Sequence, residues 1–228
     1  MALTLARVNA ELGVAGTFCA LVQSQVYNLL SPCSQKILRE IHGLGQYIGL
    51  HIAIPVATQN LEANLRIDFQ FIQHYLPILS PVFAWHNPTA EVLERYLQSD
   101  KLAGLVNAYA ARFTREISYF SDSNMRHSVD DFIRLLNPTE HSELQLLLHP
   151  LNWVAGGNNM GDVFSRSWPY IIREKELEML SNHYYSAVFP SGMPEVVLGS
   201  FVDQWCQAAE REQDDGHSIS SGASLGIP

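Results

Sequence analysis

The apolar run Leu144-Gln145-Leu146-Leu147-Leu148 ends at His149, and Pro150 follows at once. The run is too short for a core helix, and Pro150 is read as blocking further strand pairing or helix. The same punctuation recurs upstream. Ile48-Gly49-Leu50 runs into His51; Val82-Phe83-Ala84-Trp85 runs into His86, with Asn87-Pro88 behind it; Ile117-Ser118-Tyr119-Phe120-Ser121 runs into Asp122. Each run reads as a strand that delivers a polar side chain at its carboxyl end, where barrels and open α/β sheets carry their chemistry. Three imidazoles and one carboxylate gathered on one edge suit zinc or a similar divalent ion. Taken singly, a strand-end histidine is more often structural; the repetition at equivalent places is what favours a site.

The elements that must position these residues follow in order. Residues 2–12 have helical spacing and end at Gly13, and residues 15–22 read as a strand. Ser31-Pro32 opens a helix that stops at Gly43 or Gly45, followed by a strand over 47–51. Leu61, Leu65, Phe69 and Ile72 mark one face of a helix over 59–76, which Pro77 ends. A strand over 82–86, a helix from Pro88 to Leu97, a short strand within 102–109 and a strand over 117–122 come next. Ser128-Val129-Asp130-Asp131 resembles a capping box ahead of another helix. After the strand that reaches His149, residues 150–169 read as an irregular Gly/Asn-rich loop, then two helices at about 170–187 and 195–211. The alternation predicts one α/β domain over 1–212 with a parallel sheet or barrel, and a flexible tail over 213–228.

A formal net charge of -9 argues against nucleic acid or an anionic membrane as the main partner. No stretch is apolar for long enough to cross a bilayer, and the start of the chain lacks the pattern of a signal peptide. Cys19, Cys33 and Cys206 form neither a disulfide framework nor a zinc knuckle, which fits a cytoplasmic protein. Lys36, Arg39, Glu40 and the acidic run Glu174–Glu178 read as solvated helix faces. There is no phosphate-binding glycine loop and no Gly-x-Ser-x-Gly elbow.

Leu146-Leu147-Leu148-His149-Pro150 resembles the LxLHP-type motif of the polysaccharide deacetylase superfamily, carbohydrate esterase family four. Gly45-Gln46-Tyr47-Ile48-Gly49-Leu50-His51 resembles its GHEIGLH segment, and Ala15-Gly16-Thr17-Phe18 its ATFF strand. The segment Tyr119 to Asn124, with His149 to Trp153, is similar to a divergent bacterial branch found with surface-polysaccharide genes. The likeness spans roughly residues 5–155, and order and spacing carry it more than any single motif.

The resemblance implies a distorted (β/α) barrel of fewer than eight repeats and removal of acetyl groups from a glycan or sugar intermediate. In that family a divalent metal, zinc by expectation, polarises the carbonyl and activates water; a carboxylate takes the proton and the motif histidine protonates the leaving group. Carried over, His149 is the acid and His51 a metal ligand. Strand position adds His86 as a second ligand and Asp122 as the catalytic carboxylate, with Asn87, Ser123, Asn124 and Trp153 beside the substrate. Two departures stand out. Pro55 occupies the place of the second metal histidine, and no strand bearing paired aspartates precedes the first helix. The barrel is therefore expected to be open or truncated at its start, with the aspartate strand upstream in a complete version. The readings that follow are a metal-dependent deacetylase-like hydrolase, a catalytically inactive carbohydrate-binding or scaffold relative, and an unrelated α/β domain whose histidines are structural.

Overall fold

The computed structural model describes residues 1–54, 60–135 and 143–193, apart from the side chain of Asn124. Ahead of the first strand lies α1 (Ala2–Glu11). Four parallel strands follow: β1 (Thr17–Leu21), β2 (Tyr47–Ala53), β3 (Leu79–His86) and β5 (Leu105–Asn107). The two-residue β4 (Lys101–Leu102) pairs antiparallel with β5, giving a sheet of order β1-β2-β3-β5-β4. A second, two-stranded parallel sheet joins β6 (Ser118–Ser121) to β7 (Leu144–Leu147).

Helices occupy the crossovers. They are α2 (Pro32–Gly43), α3 (Leu61–Tyr75), α4 (Ala90–Tyr96), α5 (Ala111–Thr114) and α6 (Val129–Leu135). Parallel strands require such crossovers, and a parallel sheet covered by helices reads as continuous apolar runs. Ile48, Leu50, Phe83 and Trp85 are accordingly sealed in the core with Leu38, Ile41, Leu65 and Ile72 from α2 and α3. Gly49 pairs in register with Cys19, and an added Cβ there would come within 3.0 Å of the Val82 carbonyl and 3.2 Å of the Cys19 sulfur. The three strands approach so closely only because that side chain is missing.

Local chemistry fixes the ends. Ser31 and Thr89 cap α2 and α4 by accepting from the backbone N–H groups of Ser34 and Val92. Ser128 and Asp131 exchange hydrogen bonds at the start of α6, the expected capping box. Buried Gln46 ties the amino end of the sheet. It accepts from the Gly16 N–H at 2.8 Å and donates to the carbonyls of Val14 and Leu44 at 3.0 and 3.3 Å.

Two expectations are corrected here. Residues 102–109 hold a hairpin: Ala103 and Gly104 both have positive φ, the backbone of a tight two-residue turn between β4 and β5. The stretch after His149 is largely helical, with α7 (Pro150–Val154) and then α8 (Met160–Met179). Pro150 opens α7, where its missing N–H costs nothing. The Gly/Asn segment is the link between helices, with Asn159 accepting from the Asp162 N–H and Asp162 accepting from the Asn158 N–H.

The chain divides into two compact units, Met1–Trp168 and Pro169–Pro228. In the second, the buried Glu176 accepts from Arg173, the Tyr185 hydroxyl and the Met193 N–H, holding α9 (His183–Val188) and the residues after it to the end of α8. The predicted helix at 195–211 and the tail lie outside the described residues, as does Pro55. Among the described residues no helix is long and apolar enough to cross a membrane.

Candidate functional site

Because β1, β2, β3 and β5 run in one direction, their carboxyl ends share one edge. His51 and His86 stand there on neighbouring strands. His51 is in register with Ala84, two residues before His86, so both imidazoles lie on one face. Their rings meet edge to face, with centroids 4.9 Å apart. His51 Nε2 lies 3.1 Å from the Trp85 carbonyl, to which it donates. Burial lowers the pKa of His51 to about 4, helped by nearby His86 and His149 and opposed by the Trp85 carbonyl, so the ring is neutral at pH 7. His86 Nε2 lies 3.3 Å from the side-chain amide of Asn87, an exposed residue held at φ 47°.

The second sheet supplies a carboxylate and an imidazole that bond directly. Asp122, 3% exposed, follows β6, and His149 follows β7. His149 Nδ1 is 2.5 Å from Asp122 Oδ1, while Asp122 Oδ2 accepts the His149 backbone N–H and the Trp153 indole N–H, each at 2.8 Å. The Asn152 amide donates to the Asp122 carbonyl at 3.1 Å. Pro150 makes this possible: the helix it opens turns the chain back so that Asn152 and Trp153 reach Asp122. A neutral imidazole bound through Nδ1–H keeps its Nε2 lone pair available, and that nitrogen has no hydrogen-bond partner among the described residues. The His149 side chain is 43% exposed, so the free nitrogen faces solvent. The Trp153 ring packs edge to face on Phe132, which packs in turn on Phe120. Ser123 Oγ lies 2.7 Å from Ser121 Oγ. The side chain of Asn124 lies outside the described residues.

Compared with known protein families, curated proteins and solved structures, this chain matches none. The site is therefore read from its own chemistry.

A resident zinc finds too few donors. Catalytic zinc takes three protein ligands and keeps one open position. Here His86 presents a nitrogen already held by an amide, Asp122 has both oxygens engaged by N–H groups, and only His51 Nδ1 and His149 Nε2 offer unengaged lone pairs. Among the described residues no three His, Cys, Asp or Glu side chains converge on a point where a metal would sit. No step below is routed through a metal.

Cys19 is no nucleophile, since burial pushes its thiol up to about 12. A cavity of about 600 Å³ lined by Asn60, Glu62, Arg66, Arg95 and Tyr96 contains none of the residues above, and both its arginines are paired with glutamates. Sequence reasoning missed Asn152, whose amide donates to the Asp122 carbonyl; its signal was its place three residues after His149.

Proposed function

We propose that the chain is a hydrolase of the polysaccharide deacetylase type, removing acetyl groups from a glycan or sugar intermediate, with His149 as its proton-transfer residue. The Asp122–His149 pair carries this reading. An imidazole fixed by a buried carboxylate through Nδ1, its other nitrogen open to solvent, is the arrangement a general base or acid needs. In the proposed reaction Nε2 takes a proton from a water attacking the acetyl carbon. The tetrahedral intermediate then collapses, Nε2 returns the proton to the departing sugar oxygen or nitrogen, and acetate leaves. Asp122, with both oxygens occupied, acts as the positioning residue that fixes the tautomer and stabilises the imidazolium. Trp153 and Phe132 form an apolar wall suited to the face of a sugar ring. Asn87 and Ser123 supply polar groups for its hydroxyls.

A (β/α) barrel of fewer than eight repeats, open between β7 and β1, is the proposed setting. Three contacts support it. The Gln145 amide on β7 donates to the Ala108 carbonyl just after β5; Cys19 on β1 lies near enough to Tyr109 to influence it electrically; and His149 does the same to His51. These links between the two sheets are what supports that setting.

The test is acetate release from acetylated sugars and from 4-nitrophenyl acetate. Wild type is expected to exceed His149→Ala by about 10²–10⁴-fold in kcat/KM. Equal rates would overturn the catalytic reading; saturable binding of an acetylated oligosaccharide without turnover would instead mark a carbohydrate-binding relative.

A further inference from the structure

His149 supplies two of the N–H donors on the Asp122 carboxylate, its backbone N–H on Oδ2 and its ring N–H on Oδ1. A third comes from elsewhere. The Trp153 indole donates to Oδ2 at 2.8 Å, and among the described residues it is the one donor to that carboxylate that His149 does not provide. The main chain of Asp122 is tied separately, by its N–H to the Leu147 carbonyl at 3.1 Å and by the Asn152 amide on its own carbonyl. The indole therefore sets the plane of the carboxylate independently of the imidazole that the carboxylate has to orient.

Packing sets the direction of that N–H. Trp153 belongs to α7, and its ring meets Phe132 of α6 edge to face, with centroids 5.2 Å apart. Phe132 meets Phe120 of β6 in the same way at 4.9 Å. Phe120 stands two residues before Asp122. Asp122, Trp153, Phe132 and Phe120 thus close a loop of contacts that begins and ends on one short run of chain. Such a loop holds the donor in place before any reaction starts, so no rearrangement is needed during proton transfer.

The dyad has a use for this donor. Asp122 must stay an acceptor. A carboxyl proton on Oδ1 would point at Nδ1, and the ring would then keep its own proton on Nε2, with no lone pair for water. Donors on Oδ2 favour the charged carboxylate against that arrangement. We propose that Trp153 is a positioning residue for proton transfer: its indole N–H fixes Asp122, and through it the tautomer and direction of His149. The inference rests on the reading of His149 as the proton-transfer residue, and it is separate from any contact between Trp153 and a sugar.

The experiment uses the full chain and 4-nitrophenyl acetate, an ester without a sugar. Trp153→3-benzothienylalanine puts sulfur in place of the indole N–H, keeping the size and stacking of the ring and removing only the donor. Its kcat is expected to fall about tenfold, the worth of one hydrogen bond to a charged group, with KM within about twofold and Tm close to wild type. Trp153→Phe, which also leaves an aromatic ring beside Phe132, should show the same split between kcat and KM. An unchanged kcat in the benzothienyl variant overturns the proposal. A loss in Trp153→Phe that the benzothienyl variant does not share overturns it too, since packing rather than the N–H is then at work. So does a change confined to KM for an acetylated oligosaccharide, which would make Trp153 a sugar contact alone. If wild type is no faster than His149→Ala, the reading of the dyad fails and this inference falls with it; a wild type that is faster, beside a fully active benzothienyl variant, removes this inference only.

Discussion

Asp122 earns its burial by its three N–H partners, and two of them belong to His149. Asp122→Asn keeps the size but replaces one acceptor oxygen by an NH₂ group, which cannot accept from these donors. A loss of about 10²-fold or more in kcat/KM is expected, comparable to His149→Ala, and the double variant should lose little beyond the worse single one. Multiplying losses in that double mutant would mean the two residues act separately. His51 makes a different prediction, in stability. Its folded-state pKa of about 4 lies below the ordinary 6.5, so between those values the unfolded chain binds more protons than the folded one. Stability is therefore expected to fall as pH drops from about 6.5 toward 4, by roughly 1–2 kcal/mol once solvent screening at a part-exposed ring is included. Urea titrations at pH 7 and pH 5 measure it, and His51→Gln should flatten the difference. A pH slope untouched by that substitution would place the proton uptake elsewhere.

At the scale of the elements, Gln46 and Gly157 bear the sharpest predictions. Gln46→Leu removes the partner of the Gly16 N–H and of the Val14 and Leu44 carbonyls, all part-buried bonds, so a loss of about 1–3 kcal/mol is expected in chemical denaturation, with the Asp122–His149 pair intact. A Cβ on Gly157, at φ +135°, would lie 2.6 Å from the Asp162 Cβ. Gly157→Ala should therefore cost about 1–3 kcal/mol and loosen the start of α8, seen as faster amide exchange at Asp162 and Val163. The β/α alternation was legible, as were the strand ends that carry His51 and His86 on one sheet and Asp122 and His149 on the other, because buried parallel strands leave uninterrupted apolar runs that stop where the chain emerges. The segment after His149 was not. Gly156-Gly157-Asn158-Asn159 has the composition of a long loop, yet it is a brief link whose last residue caps α8, and Pro169 inside that helix looks like a terminator. The hairpin turn at Ala103 was equally hidden, since alanine seldom takes a positive φ. Spacing placed the imidazoles at strand ends but could not say which nitrogen each would commit to a carbonyl, a carboxylate or an amide.

For the molecule as a whole, those commitments predict weak metal retention. Protein dialysed into chelator-free buffer is expected to hold well below one zinc per chain by elemental analysis, because the described residues present fewer than the three ligands a tight site uses. A full equivalent that disappears in His51→Ala would contradict this. The sealed position of Trp85 has an optical consequence. Its indole is 1% exposed, its N–H has no partner among the described residues, and its ring packs on Phe83 and Tyr96, whereas Trp153 and Trp168 are 40% and 49% exposed. An indole in such dry surroundings emits toward shorter wavelengths than one in contact with water. The blue edge of the fluorescence spectrum should therefore follow the opening of the sheet around β3, while iodide quenches the red edge first. Among the described tryptophans, one thus reports from inside the five-stranded sheet's core, while Trp153 and Trp168 report from the solvent side.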